Sequence, residues 1–135
     1  MTSMRPVAAT LVRHLRQQLP GLLAIYLFGS RAVGTEKDDS DWDLAIWVDG
    51  KIDPEDIWSL SGDLASLCGA DVDLVDLGRA STVMQYQVVV HGVCIWQRDV
   101  RVDSLEAMVL REKADLDQAR ALLLSDIRHR GTIYE

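Results

Sequence analysis

Gly29 and Ser30, followed after ten residues by Asp41-Trp42-Asp43, are the residues whose types and spacing could do chemistry. The glycine-serine pair comes directly after an apolar run, Ala24 to Phe28, and the two aspartates open a second one, Leu44 to Val48. Glycine lets a backbone approach an anion without a Cβ clash. Consecutive N–H groups and the Ser30 hydroxyl can then hold phosphate oxygens. In a strand, residues i and i+2 share a face, so Asp41 and Asp43 project together, roughly 7 Å apart at Cα. Two carboxylates held that close repel each other and favour a divalent cation between them. Phosphate turn and cation site together suggest chemistry on a nucleoside triphosphate. At average residue usage this four-residue pattern arises by chance roughly twice per thousand chains of this length.

A third carboxylate is expected from a neighbouring strand, and Asp71-Val72-Asp73-Leu74-Val75-Asp76 offers candidates. Asp73 lies mid-strand among apolar neighbours, where an unpartnered carboxylate is costly to bury; the alternative is that it caps a turn or faces water. Asp71 shares its face but sits at the strand end, and Asp76 falls on the opposite face as a structural residue. Trp42, Leu44 and Ile46 take the other face of the strand that carries Asp41 and Asp43, and belong in the core. Arg31 could also meet a phosphate. Gly34 suits a left-handed turn, and Lys37, Asp38 and Asp39 read as a solvated loop tip.

The elements that must position these groups can be traced along the chain. A helix is expected over Met4–Leu19, with Pro6 in its first turn and Pro20-Gly21 ending it. Strands follow at Leu23–Phe28 and Asp41–Val48, joined by the Gly29–Ser40 loop. Asp53 caps the next helix, Pro54 takes its first position, and Gly69 ends it. A short strand, Asp71–Leu77, comes next. Ser81–His91 is ambiguous, since Val88-Val89-Val90 favours a strand. Ser81 as a cap and Gly92 as a stop decide for a helix. A strand at Val93–Gln97 and a long helix from Asp103 to about Arg128 complete the chain. On that helix Leu105, Met108, Val109, Leu116, Ala119 and Leu123 are expected to pack on the sheet as one wide core face, broadened by Leu110, Leu122 and Ile127, with a second, partner-facing surface as the alternative. Trp47 and Trp58 are also expected in the core. The whole, residues 1–135, is one α/β (α+β) domain with a small mixed sheet flanked by helices.

Composition bounds the function. With 135 residues and 48% apolar content, the chain can build one real core. No apolar run approaches the roughly 20 residues needed to cross a bilayer, and the N-terminus is unlike a signal peptide. Cys68 and Cys94 have neither zinc nor redox spacing. Two reduced, buried cysteines in a cytoplasmic chain are the simplest reading. A net charge of −7 repels a phosphate backbone. Nucleic acid is therefore not the expected partner, and a basic protein is easier to accommodate. Arg5, Arg13 and Arg16, and Arg128-His129-Arg130, read as solvated helix faces. His14, His91 and His129 have no convincing catalytic placement.

Gly29 to Gly34, Ser40 to Leu44 and the strand Val72-Asp73-Leu74-Val75 together resemble the minimal nucleotidyltransferases (MNT) of the DNA polymerase beta superfamily. The resemblance covers about residues 5–97, and is strongest to the MNT antitoxins of HEPN–MNT toxin–antitoxin pairs. It implies the nucleotidyltransferase fold, ATP as substrate, and two Mg²⁺ ions. It implies Asp41, Asp43 and Asp73 as metal ligands, with Asp73 also helping to deprotonate the attacking hydroxyl. Gly29 and Ser30 would hold the β- and γ-phosphates. The implied reaction moves AMP to a tyrosine of a partner HEPN ribonuclease, silencing it within a hetero-oligomer. Two alternatives stand beside it: an antitoxin that acts by binding and occlusion alone, and a nucleotidyltransferase acting on a small molecule.

Overall fold

The computed structural model describes residues 4–35 and 40–134, with side chains over 6–35 and 40–129. The loop tip expected at Lys37, Asp38 and Asp39 lies outside the described residues, as do the side chains of Arg5 and Arg130. In order, the elements are α1 (Met4–Gln18), β1 (Leu22–Phe28), α2 (Ser30–Val33), β2 (Trp42–Val48), α3 (Pro54–Cys68), β3 (Val72–Asp76), a 3₁₀ turn (Leu77–Arg79), α4 (Thr82–His91), β4 (Val93–Gln97) and α5 (Arg101–Tyr134). The strands form one mixed sheet in the order β3-β2-β1-β4. β1 runs antiparallel to both β2 and β4, and β2 runs parallel to β3. The parallel pair is joined through α3, the crossover that parallel neighbours require.

Two layers cover the sheet. One packs Leu11 and Leu15 of α1 and Leu60 and Leu64 of α3 on Ile25, Leu27, Trp42, Leu44, Ile46 and Leu74. The other packs Val88 of α4 and Val102 and Val109 of α5 on Ala24, Tyr26, Ala45 and Trp47. The period-2 alternation of β2 sends its even-numbered residues to the first layer and its odd-numbered residues to the second. Trp42, Leu44 and Ile46 are core, as their positions predict.

Several local signals act as expected. Gly34 and Gly69 end α2 and α3 in the left-handed conformation, at φ 79° and 71°. Ser81 accepts the Met84 N–H at 3.1 Å and opens α4, which settles the ambiguous Ser81–His91 segment as helix. The segment after Gly29 is helical over Ser30–Val33 rather than irregular.

Three expectations are corrected. Trp58 is 81% exposed, because it stands on the outer side of α3 while Leu60 and Leu64 turn inward. Cys94 is exposed on the outer strand β4, and Cys68 is only half-buried. α5 has no wide core face: Val102 and Val109 are fully buried, but Leu122, Leu123, Leu124 and Ile127 are more than half exposed. The helix runs on past the sheet that would cover it.

Candidate active site

β1 delivers Gly29 and Ser30 just beyond its last residue, and β2 begins beside it with Asp43 paired to Phe28. Parallel β3 places Asp73 opposite Asp43 in register. The Asp73 side chain is exposed, so the cost of burial that singled it out does not apply, and its register with Asp43 is what marks it. The Trp42 N–H donates to the Asp71 carbonyl at 2.9 Å, holding the start of β2 against β3. Asp41 precedes β2, and its side chain is exposed. Thus the turn and the three carboxylates, separated in sequence, gather at one end of the sheet.

Gly29 adopts φ 75°, a conformation that favours glycine. A Cβ at this position would overlap Asp43 Oδ2 and crowd its Cγ. The turn is therefore moulded against the Asp43 carboxylate, and only glycine leaves room for it. Burial pushes the Asp43 carboxyl above the ordinary carboxylate range, and the charges of Asp73 and Asp41 push it further. That is the electrostatic signature of acids crowded without a counter-charge. Among the described residues no three acidic, histidine or cysteine side chains converge closely enough to cage a cation as they stand. A cage is not what Mg²⁺ requires: it keeps several waters and takes one or two carboxylates plus substrate phosphates. The crowded, oxygen-only donor set fits such an ion.

The remaining candidates are placed differently. The Arg31 guanidinium stacks on Trp42, 4.3 Å from the ring centroid, and its Nη2 donates to the Ser40 carbonyl at 2.7 Å. Trp42 points into the layer opposite Asp43, so in this arrangement Arg31 ties the two ends of the loop together. Asp76 accepts the Gly78 N–H at 3.1 Å and closes the turn after β3, the structural role expected of it. His14 meets Asp63 at 3.3 Å, joining α1 to α3.

One feature of the layer under α4 and α5 has no sequence signal. Tyr26, buried in the α4–α5 layer, donates its hydroxyl to Glu106 Oε2 of α5 at 2.5 Å. Burial and this hydrogen bond push the phenol far above its ordinary value. The pair unites β1 and α5 across 80 residues of sequence, a separation that no local pattern reports.

Comparison with known proteins agrees with this geometry. The sequence profile described as polymerase beta, nucleotidyltransferase matches residues 10–101, a span that includes every candidate side chain above. Protein adenylyltransferase MntA of Shewanella oneidensis is 36% identical over 119 residues, covering 87% of this chain and 84% of MntA. A chain from crystals of a toxin–antitoxin with AMP-PNP superposes with a TM-score of 0.78 at 33% identity, covering 94% of this chain and 98% of that one. A chain from the complex of tri-AMPylated Shewanella oneidensis HEPN toxin with MNT antitoxin gives 0.75 at 33% identity, covering 91% and 97%. With the glycine-serine turn, the paired strands and the carboxylates all inside the matched span, the chain belongs to the polymerase beta nucleotidyltransferase family and, within it, groups with MntA.

Proposed function

We propose that this protein is an antitoxin that transfers AMP from ATP to a tyrosine hydroxyl of a partner HEPN ribonuclease and so neutralises it. The observation that carries the reading is Asp43, set in register with Asp73 and moulded against Gly29. The name of MntA and the AMPylated toxin seen with an MNT antitoxin support it.

In this reaction the acceptor oxygen attacks the α-phosphorus of ATP. The bond from that phosphorus to the bridging oxygen breaks, and pyrophosphate leaves. Asp41 and Asp43 would hold the two Mg²⁺ ions, with Asp73 ligating one of them, and metal bound there would supply charge stabilisation for the attacking and leaving oxygens. Asp73 is exposed, so an incoming hydroxyl can reach it, and it accepts the hydroxyl proton. Gly29 and Ser30 hold the β- and γ-phosphates through backbone N–H groups and the Ser30 hydroxyl. Arg31 positions this loop by its bonds to Ser40 and Trp42.

The test incubates the purified protein with ATP, Mg²⁺ and its HEPN partner. A mass gain of AMP on a partner tyrosine is expected. Folded protein that adds no AMP would sink the reading.

A second reading, neutralisation by occlusion, is favoured by one observation. Leu122, Leu123, Leu124 and Ile127 form an exposed apolar stretch on α5, of the kind that marks protein contacts. Asp41→Ala combined with Asp43→Ala separates the two. A double variant that binds the partner but fails to silence it assigns neutralisation to catalysis, and one that silences it fully assigns it to occlusion.

A further inference from the structure

Along one margin of the sheet, α1 and β4 enclose a groove of about 680 Å³. Its floor is apolar, made by Ala8, Ala9, Val12 and Ile95. Its rim is cationic, with Arg13 and Arg16 on α1 and Arg98 just past β4, and none of the described residues lining it is acidic. In a chain of net charge −7, this is a local inversion of the field. The arginines are partly organised. Arg98 donates from Nε to the Leu22 carbonyl at 2.7 Å and from Nη2 to the Pro20 carbonyl at 3.1 Å. The Trp96 ring lies under Arg16 at 4.9 Å and under Arg98 at 5.6 Å from its centroid, contacts that restrain both guanidinium groups.

β4 is the outer strand of the sheet, and β1 is its one partner strand among the described residues. Its free margin offers backbone N–H and C=O groups on either side of a register shift at Ile95, and Val93 and Cys94 on it are exposed. A groove between an open strand and a helix suits an extended peptide. The peptide backbone adds to the sheet, and alternate side chains enter the groove.

We propose that the α1–β4 groove binds an extended acidic segment of a partner protein, laid along β4 as a fifth strand. Carboxylates of the segment meet Arg13, Arg16 and Arg98, and its alternate apolar side chains rest on the alanine and isoleucine floor. Charge selects the occupant, since a basic segment would meet three guanidinium groups and no carboxylate. Nucleic acid has the right charge for the rim, but the floor offers methyl groups where base stacking needs a free aromatic face. The arginine rim sits toward the end of β4 away from the carboxylates: Gln97 pairs with Ala24 near the start of β1, whereas Val93 pairs with Leu27, beside the Phe28 that pairs with Asp43. None of the groove-lining residues belongs to the carboxylate site, so peptide binding and adenylyl transfer can be tested separately.

The test pans the full-length chain against a displayed library of random short peptides. The expected consensus alternates Asp or Glu with apolar residues. A synthetic consensus peptide should slow amide exchange in Val93–Gln97, and its affinity should fall as salt rises. Arg13→Glu with Arg16→Glu should weaken it by about tenfold or more. The milder Arg13→Gln with Arg16→Gln should act in the same direction, and serves if charge reversal unfolds the chain. A basic or absent consensus, unchanged affinity in the folded variants, or exchange protection elsewhere overturns the proposal. So does displacement of the peptide by a uridine oligonucleotide.

Discussion

β2 sends Trp42, Leu44 and Ile46 into the layer under α1 and α3, and Asp43, Ala45 and Trp47 into the layer under α4 and α5. The first layer is built of buried apolar side chains, with Leu15, Ile25, Leu44, Ile46 and Leu64 wholly closed to solvent. The second layer carries polar groups at every level. The Tyr26–Glu106 bond crosses it, the buried Gln85 donates to the Leu77 carbonyl at 2.7 Å, and Asp43 faces Asp73 at its open end. One strand thus serves both layers through its pleat: the even residues pack one core, and the odd residues pack the other at Ala45 and Trp47 and carry the candidate site at Asp43. Damage to the two layers should accordingly be separable.

The largest separation comes from Asp43→Asn. It should lower AMP transfer by on the order of a thousandfold, the several kcal/mol attached to a catalytic metal site. The fold should survive. Leu44→Ala, one residue away, should do the opposite. It should cost about 2–5 kcal/mol of stability in a denaturant titration, while chain that remains folded keeps its activity. If both variants lose activity and stability together, the two layers are not independent.

Gly29→Ala tests the junction between them. It forces a left-handed φ on alanine, and its Cβ displaces the Asp43 carboxylate. A stability loss of about 1–3 kcal/mol should accompany a loss of transfer of about a hundredfold, because misplacement of about 1 Å suffices for that. Tyr26→Phe sharpens the polar side of the comparison. It strands Glu106 and should cost about 1–3 kcal/mol, a loss that Glu106→Gln in the same chain partly restores.

The smallest effect is the pH dependence of Asp43. Its carboxyl titrates above the ordinary range, first through burial and then through Asp73 and Asp41. The folded chain therefore holds that proton more tightly than the unfolded chain. Ionised Asp43 lowers stability above the raised value, and the loss disappears as pH falls through it toward the unfolded value. In metal-free protein Asp43→Asn should melt slightly higher than the parent at neutral pH, and the gap should close on acidification. A gap that grows with acid would reverse the assignment of Asp43 as a crowded, unpartnered acid.

Most of the site-bearing half was legible from local rules. Period-2 alternation gave the face of Asp43, and the strand around Asp73 announced its neighbour. Capping residues bounded α3 and α4, including the segment whose valines argued for a strand. What escaped was set by tertiary context. Apolar character alone could not tell that Trp58 stands on the uncovered side of α3. Periodicity along α5 reported apolar stripes but not where the sheet beneath them ends. Cys94 looked like a core residue because nothing local marks β4 as the outer strand. Arg31 follows the glycine-serine turn in sequence, yet its stacking on Trp42 depends on β2 arriving beside it.

The parallel register of β2 and β3 has a kinetic consequence. Asp43 and Asp73 meet only after the whole α3 crossover has docked, and such non-local parallel pairing is among the slower events in folding. Repulsion between the two carboxylates further delays it. A refolding chain should therefore regain its helical signal before its activity, so that enzymatic competence marks the completed fold.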